Sequence, residues 1–148
     1  MDITQVAPSE VPINLLLEAD PSTENIKRYL DESVCFIALL AGETVGAYAI
    51  KAIAGDTYEL MSIAVAPEYQ RQGIGSALLR HAIDTVREKG ASRFEVGTGT
   101  FGYQLTYYQR VGFRPYALEV DYFLQHYRDP IYENGIQHQD RLRLAIAY

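Results

Sequence analysis

The chain has 148 residues, the size of one ordinary domain, and its 48% hydrophobic and 22% charged residues are typical of a globular protein. Its single cysteine excludes an intrachain disulfide and a cysteine-rich zinc site, and its net charge of −6 argues against a general nucleic-acid binder. The longest apolar run, residues 34–41, is far shorter than the roughly 20 residues that span a bilayer, so we expect a cytoplasmic protein with no membrane partner.

The first half of the chain predicts two short helices and four strands. Residues 2–7 form a short strand, and Pro12 can open a helix because proline tolerates the first helical turn. Ser22 can cap a second helix, in which apolar residues recur at helical spacing. Three strands follow, with Gly-containing hairpin turns between them: residues 34–41, 44–53 and 57–66.

The second half changes to the period of a helix. The stripe formed by Ile74, Leu78 and Ala82 predicts a helix that ends at Lys89 and Gly90. Strand, helix and strand over residues 57–97 imply one parallel crossover in a mixed sheet. The remaining predicted elements are a strand at 93–96, a helix at 103–110, and strands at 113–122 and 141–147. No repeat or composition break divides the chain, so we expect a single domain over residues 1–148.

A glycine-containing loop lies between the strand at 57–66 and the long helix. Gly73 and Gly75 allow backbone N–H groups at a helix N-terminus to approach an anion closely. The surrounding residues 70–93 hold five basic and two acidic side chains, a net charge of +3 in an acidic chain. A small anionic ligand would explain both features, but an ordinary turn followed by a solvated helix face would explain them too.

Two motifs resemble those of a known family. Residues 70–75, Gln-Arg-Gln-Gly-Ile-Gly, resemble the Q/R-x-x-G-x-G/A signature of the GNAT superfamily of N-acetyltransferases, and residues 63–67 resemble the family's fourth strand and its exit. Residues 108–113, Tyr-Gln-Arg-Val-Gly-Phe, resemble the downstream Y-x-K/R-x-G-F segment. The resemblance implies an α/β fold with a mixed, largely antiparallel sheet of about seven strands, about four helices and splayed strands 4 and 5. One departure is the stretch 99–102, where the family's fourth helix often starts near an asparagine.

The resemblance also implies acetyl-CoA as the acetyl donor. We expect no metal site, because His126 and His138 lack metal-ligand spacing with Asp, Glu or Cys partners. The amides of residues 72, 73, 75 and 76 would hold the pyrophosphate near Arg71, and the backbone of Ile63 and Val65 would pair with the pantetheine arm. The residues expected to contact acetyl-CoA are Ile63, Ala64, Val65, Gln70, Arg71, Gln72, Gly73, Ile74, Gly75 and Ser76.

A second glycine motif competes with this interpretation. Residues 97–102 match G-x-G-x-x-G between a strand and a helix, and Glu119 lies about where a ribose-binding acid would be expected. The helix that follows is barely two turns long, however, and residues 120–148 are too few to build the second half of a dinucleotide-binding fold. We therefore do not favour a dinucleotide site.

Acetyl transfer to an amine requires removal of a proton, because a free alkylamine with a pKa near 10.4 is mostly protonated at neutral pH. Glu59, where several family members carry a catalytic glutamate, is the candidate base, although a solvated strand residue is the alternative. By strand alternation it would share a face with Met61, Ile63 and Val65. The resemblance of residues 108–113 to the family's segment implies that Tyr108 is the candidate general acid facing the CoA sulfur, with a core packing role as its alternative.

The predicted function is an N-acetyltransferase that moves an acetyl group from acetyl-CoA to a primary amine by direct attack. The acceptor is a small molecule or a protein amino group, and a homodimer joined at a strand edge is a partner that the resemblance allows. Residues 116–134 interleave acids with aromatics, which suits a cationic amine but also a solvated connection or a dimer surface. Cys35 lies in an apolar run typical of a buried residue. The alternative function is a noncatalytic acyl-CoA-binding or regulatory module of the same fold.

Overall fold

The structure is a computed structural model that describes all 148 residues. The chain divides into two compact units, Met1–Ser92 and Arg93–Tyr148. The expectation of a single domain over residues 1–148 therefore stays a prediction. No helix in the chain has both the length and the apolar character needed to cross a membrane.

The first unit contains an antiparallel sheet in the order β1-β2-β3-β4, as the two predicted hairpins require. Ala41 and Gly42 both have positive φ and form the tight turn between β2 and β3. Ser22 caps α2 as predicted, because its Oγ accepts a hydrogen bond from the Asn25 N–H at 3.2 Å. The elements are β1 (Asp2–Val6), α1 (Ile13–Leu16), α2 (Thr23–Leu30), β2 (Val34–Leu40), β3 (Glu43–Ala54), β4 (Thr57–Val65) and α3 (Ile74–Glu88).

The long helix α3 packs on one face of this sheet. A Cβ at Gly46 of β3 would lie 2.6 Å from the Leu78 side chain, so the glycine lets helix and sheet approach closely. Further along, the buried Tyr48 hydroxyl is 2.7 Å from His81 Nδ1 and donates to Thr85 Oγ1 at 3.2 Å. The apolar stripe predicted for this helix is therefore confirmed as its buried face.

A β-bulge changes which side chains of β4 share a face. Ser62 lies opposite Ala49, whereas Leu60 lies opposite Ile50, so Met61 is an extra residue in the pairing. Met61 packs with the core under α1 and α2, and Glu59, opposite Lys51, lies on that same face. The prediction that Glu59 shares its face with Ile63 and Val65 was therefore wrong. Ile63, which pairs with Tyr48, and Val65 lie on the opposite face of the strand.

The second unit contains an antiparallel sheet in the order β5-β9-β6. Its buried core includes Phe94, Phe113 and Leu144, all at most 1% exposed. The elements are β5 (Arg93–Gly99), α4 (Tyr103–Arg110), β6 (Arg114–Glu119), α5 (Tyr122–His126), β7 (Tyr132–Glu133), β8 (Ile136–Gln137) and β9 (Arg141–Ala147).

The strand predicted over residues 113–122 is wrong at its end. β6 stops at Glu119, because Asp121 adopts a left-handed φ of 62° and its N–H donates to the Asp140 carboxylate at 2.8 Å. Tyr122 then begins α5, and the β7–β8 hairpin follows. Neither element was predicted, since both are too short to show a hydrophobic period.

Candidate active site

The loop predicted to bind the donor lies between β4 and α3. Ile63 and Ala64 are buried, and Val65 is half-buried at the end of β4. A single 3₁₀ turn, Pro67–Tyr69, leads out of the strand. The predicted donor-contacting residues, from Ile63 to Ser76, thus lie on the end of β4, in the loop that follows and in the first turn of α3.

The backbone of this loop alternates in handedness just before α3. Arg71 has a φ of 64° and Gly73 a φ of 84°, whereas Gln72 between them does not have positive φ. Alternation of this kind turns successive N–H groups toward one concave surface, which is a common anion-binding arrangement. A left-handed conformation costs a residue such as arginine roughly 1–2 kcal/mol, so Arg71 carries backbone strain of the kind that clusters at functional sites.

Side-chain hydrogen bonds hold the loop in this form. Gln70 Nε2 donates to the Val65 carbonyl at 3.1 Å, and Gln72 Nε2 donates to the Glu68 carbonyl at 3.4 Å. The Tyr69 hydroxyl donates to Glu43 Oε2 at 2.8 Å, which ties the turn to β3. These three hydrogen bonds stabilise the loop conformation.

The loop surface is open around Gly73. A Cβ built at this glycine would meet no atom within 4 Å. The neighbouring Arg71, Gln72 and Ser76 are exposed, whereas Ile74 is buried and anchors the helix start. The first amides of a helix lack partners within the helix and carry its positive dipole end, so this surface favours an anion that can accept several hydrogen bonds.

Glu59 lies half-buried on β4 directly opposite Lys51. The Lys51 ammonium contacts the Glu32 carboxylate at 2.8 Å. Because of the bulge, Glu59 shares its face with Met61 and not with Ile63 or Val65. The catalytic role of Glu59 stays a prediction.

Tyr108 belongs to the second unit and is 5% exposed on α4. Its ring packs edge-on against Phe113, with 5.8 Å between the centroids. Burial raises the pKa of Tyr108 well above its ordinary value, so its hydroxyl stays protonated and can donate a hydrogen bond. The packing role is real, and the acid role remains a prediction beside it.

Cys35 is 1% exposed, as its apolar neighbours in the sequence suggest. Burial raises the pKa of its thiol to about 11. Because the thiolate is the nucleophilic form, a buried protonated thiol does not favour a covalent acetyl-cysteine intermediate.

The competing motif at residues 97–102 is filled by the protein's own side chains. A Cβ at Gly97 would lie 2.7 Å from Arg141 Nε, one at Gly99 would overlap the His138 imidazole, and one at Gly102 would overlap the Glu133 carboxylate. All three glycines therefore make room for side chains from near the C-terminus. Sequence reasoning missed this function of the motif, because nothing in the local pattern shows what a glycine makes room for.

Several acids and aromatics of residues 116–134 already have partners within the second unit. Arg141 Nε donates to the Glu119 carboxylate at 2.7 Å, and the same guanidinium lies 3.6 Å from the centre of the Tyr122 ring. Glu133 is bonded to His138 at 2.9 Å. The carboxylate and ring that could have held a cationic amine at Glu119 and Tyr122 thus hold an arginine instead.

A neighbouring set of charges on β5, β6 and β9 is also internally paired. Burial alone would raise the pKa of Glu95, but hydrogen bonds from Arg93, Arg143 and Tyr116 outweigh it and lower this pKa to about 2. The Arg143 guanidinium donates to the Glu95 carboxylate at 2.8 Å, and both side chains are nearly buried. This network is consistent with a structural role.

Comparison with known proteins places these features in a family. A family model described as the acetyltransferase (GNAT) family matches residues 6–113. The chain is 40% identical to the uncharacterized N-acetyltransferase YvbK of Bacillus subtilis over 134 residues, which cover 90% of this chain and 86% of that protein.

Two solved structures are similar over 99% of this chain. An IAA acetyltransferase from Bacillus cereus is 40% identical with a TM-score of 0.95 and is covered over 99% of its own length. A GNAT family acetyltransferase from Elizabethkingia anophelis with acetyl-CoA bound is 36% identical with a TM-score of 0.94 and is covered over 97%. These likenesses confirm the predicted α/β fold class, and the chain belongs to the GNAT family of N-acetyltransferases.

Proposed function

We propose that this enzyme transfers the acetyl group of acetyl-CoA to a primary amine, of a small molecule or of a protein, by direct attack within a ternary complex. The donor is supported by the related structure from Elizabethkingia anophelis, which has acetyl-CoA bound. An amine acceptor is supported by the N-acetyltransferase that is 40% identical. One acetyltransferase domain over residues 1–148 is part of this proposal.

The observation that carries the proposal is the concave, open backbone at residues 71–76. Arg71 and Gly73 both have positive φ on either side of Gln72, an alternation that generally turns successive amides toward one surface, and the space beside Gly73 is free. We assign the pyrophosphate to the amides of Gln72, Gly73, Gly75 and Ser76, with Arg71 as the nearby cation. A doubly charged pyrophosphate matches several N–H donors at a helix N-terminus.

The pantetheine arm pairs with the backbone of β4 at Ile63 and Val65 in this proposal, beside Ala64. Gln70 already bonds the Val65 carbonyl at 3.1 Å, so Gln70 supports the end of the strand where the arm would run. An extended ligand that pairs with a strand gains affinity from main-chain hydrogen bonds.

The chemical step requires a base for the acceptor ammonium and a donor for the departing thiolate. We assign the base to Glu59 and the thiolate donor to Tyr108. With its pKa raised by burial, Tyr108 keeps its proton at neutral pH and stabilises the leaving sulfur chiefly by donating a hydrogen bond. The free amine attacks the acetyl carbonyl to give a tetrahedral intermediate, whose collapse breaks the carbon–sulfur bond. The nitrogen then releases its remaining extra proton, which neutralises the departing thiolate, and no protein nucleophile is needed.

The proposal is tested by thiol release from acetyl-CoA over a panel of small amines and peptides with free amino groups. Calorimetry on the same preparation measures acetyl-CoA binding. We expect binding at one site per chain and turnover with at least one amine. Binding without turnover on any amine would favour the noncatalytic acyl-CoA module, and absence of binding would contradict the proposed donor.

A further inference from the structure

The N-terminus of α4 is held by a carboxylate that is distant in sequence. Gly102 occupies the capping position and has no side chain, so it cannot accept a hydrogen bond from the first turn. Glu133 caps the helix instead, because its Oε2 accepts a hydrogen bond from the Tyr103 N–H at 3.2 Å. A carboxylate at this end of a helix is also favoured by the helix dipole.

The capping carboxylate is in turn fixed by His138. The His138 imidazole is 7% exposed, and its Nε2 lies 2.9 Å from Glu133 Oε1, where an N–H donates to the carboxylate. The ring stacks on Phe101 with 4.1 Å between the centroids and an interplanar angle of 9°. The His138 backbone N–H donates to the Ile131 carbonyl at 2.8 Å, which anchors the residue itself.

Two glycines make this arrangement sterically available. A Cβ at Gly99 would overlap the His138 ring, and a Cβ at Gly102 would overlap the Glu133 carboxylate. His138 is therefore enclosed by the protein, and its ring cannot shift without disturbing Glu133.

We propose that Glu133 and His138 are positioning residues that fix the first turn of α4 and thereby the hydroxyl of Tyr108. This inference rests on the proposed role of Tyr108. The helix is only eight residues long and Tyr108 is in its second turn, so displacement of the first turn displaces the ring. Misplacement of a catalytic group by about 1 Å can cost about 100-fold in rate.

The test compares Glu133→Ala in two backgrounds, wild type and Tyr108→Phe. In the wild-type background we expect kcat to fall by up to about 100-fold, with KM for acetyl-CoA within about twofold. In the Tyr108→Phe background the same change should cause little further loss, because the group that Glu133 positions is already gone. Thiol release is measured with whichever amine of the panel is fastest.

Three further variants separate positioning from general stability. Glu133→Gln keeps an oxygen that can accept the Tyr103 N–H, so it should restore part of the lost kcat. Gly99→Ala should lower kcat by displacing His138, and should cause no further loss in a His138→Ala background. Ser22→Ala removes the cap of α2, which is also eight residues long, and should lower thermal stability without lowering kcat.

Amide hydrogen exchange at residues 103–106 supplies a readout that does not depend on turnover. Glu133→Ala and Gly99→Ala should both speed this exchange, and Ser22→Ala should not. Unchanged exchange, wild-type kcat in Glu133→Ala, or an equal loss in both backgrounds would overturn the inference. If Tyr108→Phe itself retains wild-type kcat, the proposed role of Tyr108 is wrong, and the proposal that Glu133 and His138 position its hydroxyl is wrong with it. A low kcat in Tyr108→Phe beside a normal kcat in Glu133→Ala overturns the inference alone.

Discussion

Two glycine-containing segments in this chain lead from a strand into a helix, yet they have opposite surroundings. At residues 70–76 the space beside Gly73 is open, and the backbone alternates in handedness before α3. At residues 97–102 every glycine of the G-x-G-x-x-G pattern lies against a side chain from residues 133–141. The first segment is open beside Gly73, and the second supports side chains from near the C-terminus of the chain.

The difference teaches that a glycine pattern indicates space beside the backbone but does not identify the group that fills this space. A missing Cβ can admit a phosphate, an imidazole or a guanidinium equally well. Residues 97–102 match the nucleotide-binding pattern G-x-G-x-x-G, but the space beside the three glycines is filled by the side chains of Arg141, His138 and Glu133. The following predictions test this contrast from the largest expected effect to the smallest.

Gly73→Asp should abolish acetyl-CoA binding and leave the fold intact. The substitution places a carboxylate where the proposed pyrophosphate lies, in a surface that otherwise has free space. Gly73→Asn is the matched control, because asparagine has the same shape and tolerates the left-handed backbone about as well. Calorimetry should show lost binding with aspartate and a much smaller loss with asparagine. Wild-type affinity in Gly73→Asp would contradict the assignment of the loop.

Tyr108→Phe should lower kcat about 10²–10⁴-fold, the usual contribution of a general acid or base. The substitution keeps the ring that packs on Phe113 and removes only the hydroxyl. Acetyl-CoA affinity should change little, which calorimetry checks beside the kinetics. If kcat is unchanged while chemistry limits the rate, Tyr108 is a core residue only.

Glu59→Gln should lower turnover most severely at low pH. Without a base the reaction depends on the free amine, whose fraction changes tenfold per pH unit below a pKa near 10.4. The wild-type rate should instead depend much less on pH over this range, because the enzyme removes the amine proton itself. The measurement is kcat/KM for the amine across pH in both proteins. Profiles of identical shape and height would show that the proton leaves through water or another group.

Gly97→Ala should destabilise the fold by about 1–3 kcal/mol, as overpacking commonly does, and leave acetyl-CoA affinity unchanged. Its Cβ would lie 2.7 Å from Arg141 Nε, so Arg141 must move away from Glu119. Urea unfolding measures the loss, and the change should cost much less in an Arg141→Ala background. Normal stability combined with weakened acetyl-CoA binding would contradict the structural role of residues 97–102 and would indicate that this segment binds the donor.

Most of the fold could be predicted from the sequence, because the longer elements carry a clear hydrophobic period. α3 begins and ends within one residue of its predicted limits, and the hairpins around Gly42 and Gly55 lie where their turn residues indicate. The short α5 and the β7–β8 hairpin could not be predicted. They depend on tertiary contacts such as the hydrogen bond from the Phe123 N–H to the Gln139 carbonyl at 2.9 Å.

The candidate site was predictable to a different degree in its different parts. The donor loop can be predicted from the local sequence, because it contains glycines and marks the change from a strand period to a helix period. The face of Glu59 was not predictable, since the extra residue Met61 leaves no mark in the sequence. Glu133 contacts Tyr103, 30 positions away in the sequence, and His138 stacks on Phe101, which is also distant, so no local pattern records these contacts.

The most direct test of the central claim is a backbone amide NMR titration with acetyl-CoA and, separately, with S-acetylpantetheine, which lacks the pyrophosphate and the adenosine. We predict that acetyl-CoA shifts the amides of Gln72, Gly73, Gly75 and Ser76 strongly, and that S-acetylpantetheine leaves them nearly unchanged. A response to acetyl-CoA centred on residues 97–102, with residues 72–76 unmoved, would contradict the account.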